Sequence, residues 1–545
     1  MAAEVKYIPK DTTWDVENAQ EAIDDLFTQT VSFNANGGTG GQTANVNAIY
    51  YGAMPAISKI APTRTGYTFM GWYDNSDYTK GTKYYNADGT SAKTFDKFSQ
   101  TTLYARWKAY VYATVLANNT LVFSNNVEDI NTYLTQNNTS VASGYTIEDI
   151  TDKLYYYNSE SDKFRPTWDG NTSITKAVIL NNIVPKTTGA WFEGLSNLTT
   201  IERIGNLDTT NVISMESMFN SCSSLSSLDV SNFNTSKVTN MQCMFANCTK
   251  LSSIDASSFS TSDVTTMVNM FVNCNALTSV KLSNFKGNNV TDIHSMFANC
   301  TNLETINLSS FTGDKLTNLS NAFSGCTNLQ TINLSKFTGN NLTDASNAFM
   351  GCGSVKTIYL NSFIGSKVTK ANAMFAHCTN LSSLNISNFN GNSLTDTANM
   401  FLNCSALTSL NLSSLNTSKV TTMSGMFANC TNLSSLNISN FNGNSLTDTA
   451  NMFLNCRALT SLDLSSFNTS KVTIMAGMFA NCTNLSKIYV KTNWDVSKVT
   501  SATNLFLNCN KLKGGNGTSH NNSHANDKTY ARIDTSSTPG YFTRK

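Results

Sequence analysis

Cysteine recurs along this chain at a constant 26-residue step, and that regularity is the feature that most constrains how the chain folds. Eleven cysteines follow the step, Cys509 follows one residue late, and Cys243 alone lies off it. A unit of this length is too small to bury a core alone, so the repetition predicts stacked units that share one continuous apolar core, which is a solenoid. The eleven are Cys222, Cys248, Cys274, Cys300, Cys326, Cys352, Cys378, Cys404, Cys430, Cys456 and Cys482.

Apolar residues keep the same places around each cysteine. Phenylalanine precedes the cysteine by three residues, leucine-type residues follow it by three, six and eight, and a second phenylalanine follows by eleven, with Leu415 as a substitute. The L-x-x-L-x-L stretch ends on a period of two, which predicts a short strand. Val420, Met423, Met426 and Phe427 recur at three or four, which predicts one or two turns of helix. The predicted fold is an α/β solenoid with a short strand and a short helix in every unit.

Two stretches of the array are identical. The stretch from Cys378 to Cys404 recurs letter for letter from Cys430 to Cys456. We interpret the second copy as a recent duplication of a structural unit.

The units resemble a known repeat. SKVTTMSGMFANCTNLSSLNIS and NVTDIHSMFANCTNLETINLS are similar to the bacterial surface protein 26-residue repeat, a leucine-rich repeat of BspA-like proteins. The resemblance covers residues 195–512, with residues 109–194 and 513–545 similar to its two caps. VSFNANGGTG, PTRTGYTFMGWYDN and TTLYARW, within residues 31–108, resemble the Listeria-Bacteroides repeat, a small β-rich, ubiquitin-like module of surface proteins. Both resemblances imply adhesion and host contact, and neither implies enzymatic activity.

Residues 1–30 are predicted to attach or oligomerise the protein. Val16, Ala19, Ile23 and Leu26 follow a three-four-three spacing behind Asp15, a residue type that can cap a helix. WDVENAQEAIDDL also resembles a segment found near the N-termini of phage tail-fibre and virion proteins. The alternative is a surface helix that packs on the next domain.

Charge and hydropathy exclude several classes of partner. The chain has 37 basic and 36 acidic residues, so it lacks the charge surplus that nucleic acid or an anionic membrane would require. No apolar run approaches the roughly 20 residues of a membrane span, so no membrane insertion is expected. The start MAAEVKYIPKD lacks the charged and apolar parts of a secretory leader. We therefore expect either a removed leader or assembly into a virus particle.

The sequence predicts no metal site, no cofactor and no catalysis. No C-x-x-C pair occurs, and His520 and His524 lie in a stretch rich in glycine and asparagine that predicts a loop. Neither G-x-S-x-G nor H-E-x-x-H is present. Asp229 and Asp255 share a column, and a solvated polar ladder is favoured over an acid pair. The thiols are predicted to be free and buried in place of forming disulfides.

The outward positions of the predicted strands form the candidate binding face. Asparagine and serine offer donors and acceptors and tyrosine adds an amphipathic ring, which suits a glycan or a polar protein surface. The alternative is that every solenoid needs a polar outside. The candidate binding residues are Tyr359, Tyr489, Asn307, Asn333, Asn385, Asn411 and Asn437.

These features predict a protein of display and adhesion, and they favour a phage virion fibre or decoration protein on the virion surface. Its N-terminal segment, residues 1–30, would contact virion proteins or form a homo-oligomer, and its solenoid would contact bacterial surface glycan or protein. The alternative is a bacterial cell-surface adhesin whose signal peptide was removed.

Overall fold

The computed structural model describes residues 26–77, 80–151, 165–282 and 285–545. Val16, Ala19 and Ile23 lie outside the described residues, so the predicted apolar stripe near the N-terminus stays a prediction. Leu26, the last member of that stripe, is described, and its side chain is 74% exposed.

The first sheet has five strands in the order β2-β1-β5-β3-β4. They are β1 (Thr28–Asn34), β2 (Val46–Ile49), β3 (Thr68–Tyr73), β4 (Lys83–Tyr85) and β5 (Thr101–Lys108). β1 and β5 are parallel, and the other pairs are antiparallel. Leu103, Ala105 and Trp107 alternate with more exposed neighbours along β5, as expected of a half-buried strand. They pack with Trp72 and Tyr84 into a core of their own.

The second sheet precedes the repeats and has the order β10-β9-β7-β6-β8. Its strands are β6 (Tyr112–Val115), β7 (Thr120–Ser124), β8 (Glu148–Asp149), β9 (Lys176–Ile179) and β10 (Thr200–Glu202). Helix α1 (Val127–Gln136) begins where the side chain of Asn126 accepts a hydrogen bond from the Glu128 N–H. Phe123 stacks on Trp191 at 4.8 Å and meets Phe192 edge-on, which joins this sheet to the core of the solenoid.

From Ser253 onward each unit contributes one short strand, and with the C-terminal strand these form three successive parallel sheets of six, two and three strands. Neighbouring strands pair in register at the 26-residue step, so that Ile306 lies opposite Ile332, which lies opposite Ile358. The middle residue of each strand faces the core, and the predicted repeat solenoid of short strands is confirmed. The strands are β11 (Ser253–Asp255), β12 (Ser279–Lys281), β13 (Thr305–Asn307), β14 (Thr331–Asn333), β15 (Thr357–Tyr359), β16 (Ser383–Asn385), β17 (Ser409–Asn411), β18 (Ser435–Asn437), β19 (Ser461–Asp463), β20 (Lys487–Val490) and the C-terminal β21 (Thr543–Arg544).

The helix predicted for the second half of each unit is wrong, because the described repeat units contain no α-helix. Two positions, five residues and one residue before the cysteine, have a positive φ in every unit. In the unit of Cys274 they are Asn269 and Asn273, with φ of 57° and 59°. A left-handed L-residue costs roughly 1–2 kcal/mol and interrupts a right-handed helix, so these positions turn the chain instead.

The backbone of this turning segment bonds in two directions. The N–H of Phe271 donates across to the carbonyl of Met296 in the next unit at 2.8 Å, whereas the N–H of Met270 donates back to Met267 in its own unit at 3.2 Å. The same alternation recurs in the other units, so about half of the N–H groups of this segment tie neighbouring units together. The segment is therefore a ladder of turns that runs beside the ladder of strands.

The phenylalanine that precedes each cysteine stacks on its counterpart in the next unit. Thirteen buried rings from Phe192 to Phe506 form one column, with centroid separations of 5.2–5.9 Å and interplanar angles of at most 12°. One cluster of buried side chains extends from Val111 to Phe542 along this column. We call the stack of thirteen rings the phenylalanine column.

The C-terminal residues close the last unit. Phe542 meets the rings of Phe479 and Phe506 edge-on, and Tyr541 lies at 85° to Phe506. Because these rings stand across the column, no further ring can stack on it. β21 pairs with β20 at the same end and covers the open edge of the sheet. Two 3-10 turns, Asn522–His524 and Lys528–Tyr530, link this closure to the last unit.

Candidate binding surface

The candidate binding residues lie at matching places on the outward face of the strands. Strand pairing sets Asn307, Asn333, Tyr359 and Asn385 side by side in one ladder. Asn411 and Asn437 are paired in a second ladder. Tyr489 lies in a third, between Asp463 and Thr543. The structure therefore brings four of the seven candidates into one row, which we call the strand face of β13–β16.

The asparagines of this row also have a structural task. The side-chain Oδ1 of Asn307 accepts a hydrogen bond from the Ser309 N–H at 3.0 Å, and Asn333 accepts one from Ser335 at 3.1 Å. Asn385, Asn411 and Asn437 repeat the contact with the residue two places on. Their carbonyl oxygens thus turn the chain after each strand, and the amide N–H groups are the part left to meet a ligand. The sequence alone suggests both donors and acceptors at these side chains.

The two tyrosines differ in their surroundings. Tyr359 is 42% exposed and has asparagine on both sides of it in the ladder. Tyr489 is half-buried, and β21 pairs with its strand. Tyr359 is consequently the better placed of the two to offer an aromatic ring to a ligand.

The thiols of the 26-residue step are free, buried and hydrogen-bonded. The Sγ of Cys274 donates to the carbonyl of Phe245 in the preceding unit at 3.0 Å, and the other thiols on the step, with Cys509, make the same contact at 2.9–3.2 Å. Burial raises the pKa of Cys274 to about 12. Cys243 occupies one of the left-handed turn positions, is half-buried, and has its pKa raised to about 11 by burial. Thiols that stay neutral at pH 7 are poor nucleophiles.

The other residues that the sequence offers for catalysis or metal binding do not form a common site. Asp255 is paired with Lys281 at 2.8 Å, and the hydrogen bond from that ammonium lowers the pKa of its carboxyl to about 2. Hydrogen bonds from Ser231 likewise lower the pKa of Asp229. His524 stacks on Tyr530 at 4.1 Å. In the part of the chain that the structure describes, no three histidine, cysteine or acidic side chains are grouped to hold a metal ion.

Two buried acidic residues are not among the sites predicted from the sequence. Glu193 and Glu216 are 7% and 4% exposed, beside the first units of the solenoid. Glu193 accepts a hydrogen bond from Asn220 at 2.9 Å, and Glu216 accepts one from Asn240 at 2.8 Å. Burial raises the pKa of both carboxyls, that of Glu216 to about 7. No periodic signal marks them, because each occupies a column that is apolar or neutral in later units.

Replacing Glu216 with glutamine is expected to flatten the pH dependence of stability. Below pH 4.5 the carboxyl is protonated in both the folded and the unfolded chain. As the pH rises from 4.5 to about 7, the unfolded chain releases the proton first, so the free energy of unfolding of the wild type falls by up to about 3 kcal/mol and then levels off. Urea denaturation of both proteins from about pH 4 to pH 8 measures the difference. If the free energies of unfolding of the wild type and of Glu216→Gln change in parallel with pH, Glu216 is not a buried ionisable group.

No helix among the residues that the structure describes has the length and apolar character to cross a membrane.

Two family models match the chain. One, described as Mycoplasma protein of unknown function, DUF285, matches residues 188–311, 317–433 and 395–519, which together make up more than half of the chain. The other, the Listeria-Bacteroides repeat domain, matches residues 30–106 and supports the resemblance seen in the sequence. No curated protein sequence matches the chain.

A comparison with solved structures matches the chain to several proteins, three of which follow. A leucine-rich repeat protein from Eubacterium ventriosum is 14% identical over 73% of this chain and 92% of its own, with a TM-score of 0.26. The functional domain of InlJ from Listeria monocytogenes, which includes a cysteine ladder, is 15% identical over 59% of this chain and 74% of its own, with a TM-score of 0.16. Toll in complex with Spatzle from Drosophila is 17% identical over 60% of this chain, with a TM-score of 0.26, and this chain spans 40% of its length.

TM-scores of this size support no inference about function. The repeat solenoid is seen directly in the strands, turns and stacked rings described above, and the DUF285 model covers those same units. The chain belongs to the DUF285 family.

Proposed function

We propose that this chain is a non-enzymatic display and adhesion protein of the bacterial cell surface. The Listeria-Bacteroides repeat at residues 30–106 supports this, because the sequence resemblance to that module implies surface proteins. The observation that carries the proposal is the strand face of β13–β16, where Tyr359 stands exposed in a row of amide groups held in one orientation.

The geometry of the face suits an extended ligand. Paired strands repeat every ~4.8 Å, so successive units offer equivalent groups at even spacing along the array. A polymer that lies across the strands would meet one such group at each step. Several weak contacts held at fixed spacing add up to useful avidity without any one tight site.

Display on a phage particle is the alternative. It rests on the resemblance of WDVENAQEAIDDL to virion proteins, and none of the matches above is described as a virion protein. In both proposals the stripe of Val16, Ala19, Ile23 and Leu26 would anchor or oligomerise the chain, which light scattering with and without residues 1–30 would test.

Tyr359→Ala in the full chain is expected to weaken attachment of the purified protein to its target cells about tenfold, because it removes the one exposed ring of the strand face. Flow cytometry with labelled protein measures the loss. Tyr489→Ala is the matched control and should change binding much less, because Tyr489 is half-buried and lies in a different ladder, beside Asp463.

Equal binding by the wild type and Tyr359→Ala would contradict the assignment of this face. Antibodies against the chain should label intact bacteria of the producing strain. Labelling of purified phage particles and not of cells would favour the virion alternative.

A further inference from the structure

Two neighbouring units of the otherwise neutral chain carry a surplus of positive charge. Residues 326–377 contain Lys336, Lys356, Lys367 and Lys370 but only one acid, Asp344. Two strands of the strand face, β14 and the strand β15 that carries Tyr359, belong to these same two units.

Two of the four lysines already have partners, and two do not. Lys370 lies 3.7 Å from Asp344, and the Nζ of Lys367 donates to Asn341 at 2.8 Å. Lys336 and Lys356 are exposed, and their ammonium groups have neither an ion pair nor a hydrogen bond with any residue that the structure describes.

Two lysines beyond the strand face of β13–β16 are neutralised. Lys281 pairs with Asp255, which lies in the same column one unit earlier, and Lys545 bonds to Asp463. One unit away from Lys356 its column holds Gln330 and Ser382, and one unit away from Lys336 its column holds Ser310 and Ser362, so no acid of an adjacent unit in these columns neutralises either cation.

These two lysines lie on either side of Tyr359. Lys356 comes immediately before β15, the strand that ends at Tyr359. Lys336 follows the end of the adjacent strand β14 by three residues. Asn333 and Asn385 are the ladder neighbours of Tyr359, and their carbonyl oxygens are held by backbone N–H groups at 3.1 and 3.2 Å.

Lys336 and Lys356 thus add two ammonium donors to the amide N–H groups of Asn333 and Asn385, and the one acid of these two units, Asp344, is already paired with Lys370. A ligand that matches them must be rich in acceptors and negatively charged. The ring favours the C–H face of a sugar over a small ion, because an amphipathic aromatic surface is best used by a partly apolar, flat partner.

We propose that Lys336, Lys356 and Tyr359, with Asn333 and Asn385, form a subsite for an anionic polysaccharide whose sugars carry carboxylates. This inference rests on the proposed adhesive function and names the class of ligand for it. The carboxylates meet the two ammonium groups, a sugar ring lies on Tyr359, and the amide groups donate to ring hydroxyls or to carboxylate oxygens.

Polygalacturonate and its fully methyl-esterified form are suitable probes, because they share a backbone and differ in charge. Affinity electrophoresis of the full chain in gels that contain either polymer measures retardation. We expect the wild type to be retarded by polygalacturonate at least tenfold more strongly than by the ester, and the retardation to decrease with salt as charges are screened. Tyr359→Ala and the double variant Lys336→Gln/Lys356→Gln should each lose most of it, while Tyr489→Ala should not.

A graft keeps the test independent of folding defects. Ser414, Ser434 and Asn437 occupy the columns of Lys336, Lys356 and Tyr359 three units further on. Ser414→Lys/Ser434→Lys/Asn437→Tyr/Asp463→Asn in the Tyr359→Ala background should restore retardation to within about threefold of the wild type. The fourth change is needed because Asp463 occupies the column position that Asn385 has beside Tyr359, and its carboxylate would repel the polymer. The same graft in the wild type should double the number of polysaccharide segments bound per chain in a titration with short oligogalacturonates.

Each remaining outcome overturns the proposal. Absence of retardation by polygalacturonate, equal retardation by the ester, or a graft that restores nothing would remove the subsite. Equal retention by single-stranded DNA would show an unspecific response to polyanions and not a polysaccharide site. If the protein still attaches to cells through Tyr359 in any of these cases, the adhesive function stands and only the ligand class fails.

Discussion

Replacing Phe349 with alanine is expected to lower the free energy of unfolding by about 3–5 kcal/mol and to make the array unfold in two steps. Phe349 is fully buried and stacks on Phe323 at 5.6 Å and on Phe375 at 5.5 Å. Its loss leaves a cavity and removes two ring contacts of about 0.5–1.5 kcal/mol each. Because each unit contacts only its neighbours, weakening one contact in the middle uncouples the two halves.

Urea denaturation followed by circular dichroism measures the loss, and hydrogen exchange shows which units open first. The repeated sequence supplies a matched pair of variants. Phe401→Ala and Phe453→Ala fall within the two identical stretches, and each ring lies between two others at 5.4–5.9 Å. Their effects should agree within about 0.5 kcal/mol. A loss below about 1 kcal/mol for all three would contradict the phenylalanine column as the main source of cohesion.

Removing residues 513–545 is expected to turn the protein into an end-to-end assembly. The deletion uncovers the ring of Phe506 and the free edge of β20, both of which are now covered by Tyr541, Phe542 and β21. An exposed strand edge and an unpaired apolar end are templates for another chain. Size-exclusion chromatography with light scattering should show species of two or more chains, whereas the intact chain should be free of association at this end.

A milder variant separates the exposed strand edge from the exposed apolar end as the cause of association. Phe542→Ala keeps β21 in place, so it should lower stability by about 3–5 kcal/mol but cause little association. If the truncated protein stays monomeric and is as stable as the intact chain, the C-terminal residues do not close the core.

The strands and the shared core could be predicted from the sequence. The 26-residue step and the period of two around Leu384 and Ile386 led to in-register strands, and both side chains pack in or against the core. The register could be predicted because only one offset sets every apolar position opposite its copy. The turn half could not be predicted from apolar spacing, because Met267, Met270 and Phe271 have the same intervals on a ladder of turns as on a helix.

A better signal for the turns was present. Asparagine or glycine occupies most positions one and five residues before the cysteine, as at Asn273, Asn269 and Gly425. These residues tolerate a positive φ at the lowest cost, so their recurrence inside a supposed helix argues against it. Exceptions such as Ala373 and His377 show that stacking can impose the same backbone on other side chains.

The candidate binding residues were identified by position, but their chemistry needed coordinates. Asn333 and Asn385 use their carbonyl oxygens within the chain, which no composition could reveal. Whether a lysine is neutralised depends on the residue one unit away, as the contrast of Lys281 with Lys356 shows. The five candidate asparagines and two tyrosines remain a proposal until binding is measured.

The bonds between units have a consequence for how such proteins change over generations. Every unit presents the same donors on one side and the same acceptors on the other, so a whole extra unit can join the row without disturbing those already there. Slippage of the gene during replication by one in-frame unit therefore yields a longer molecule that still folds. The length of the solenoid becomes a heritable quantity that varies in discrete steps of one unit, while the rest of the molecule stays unaltered.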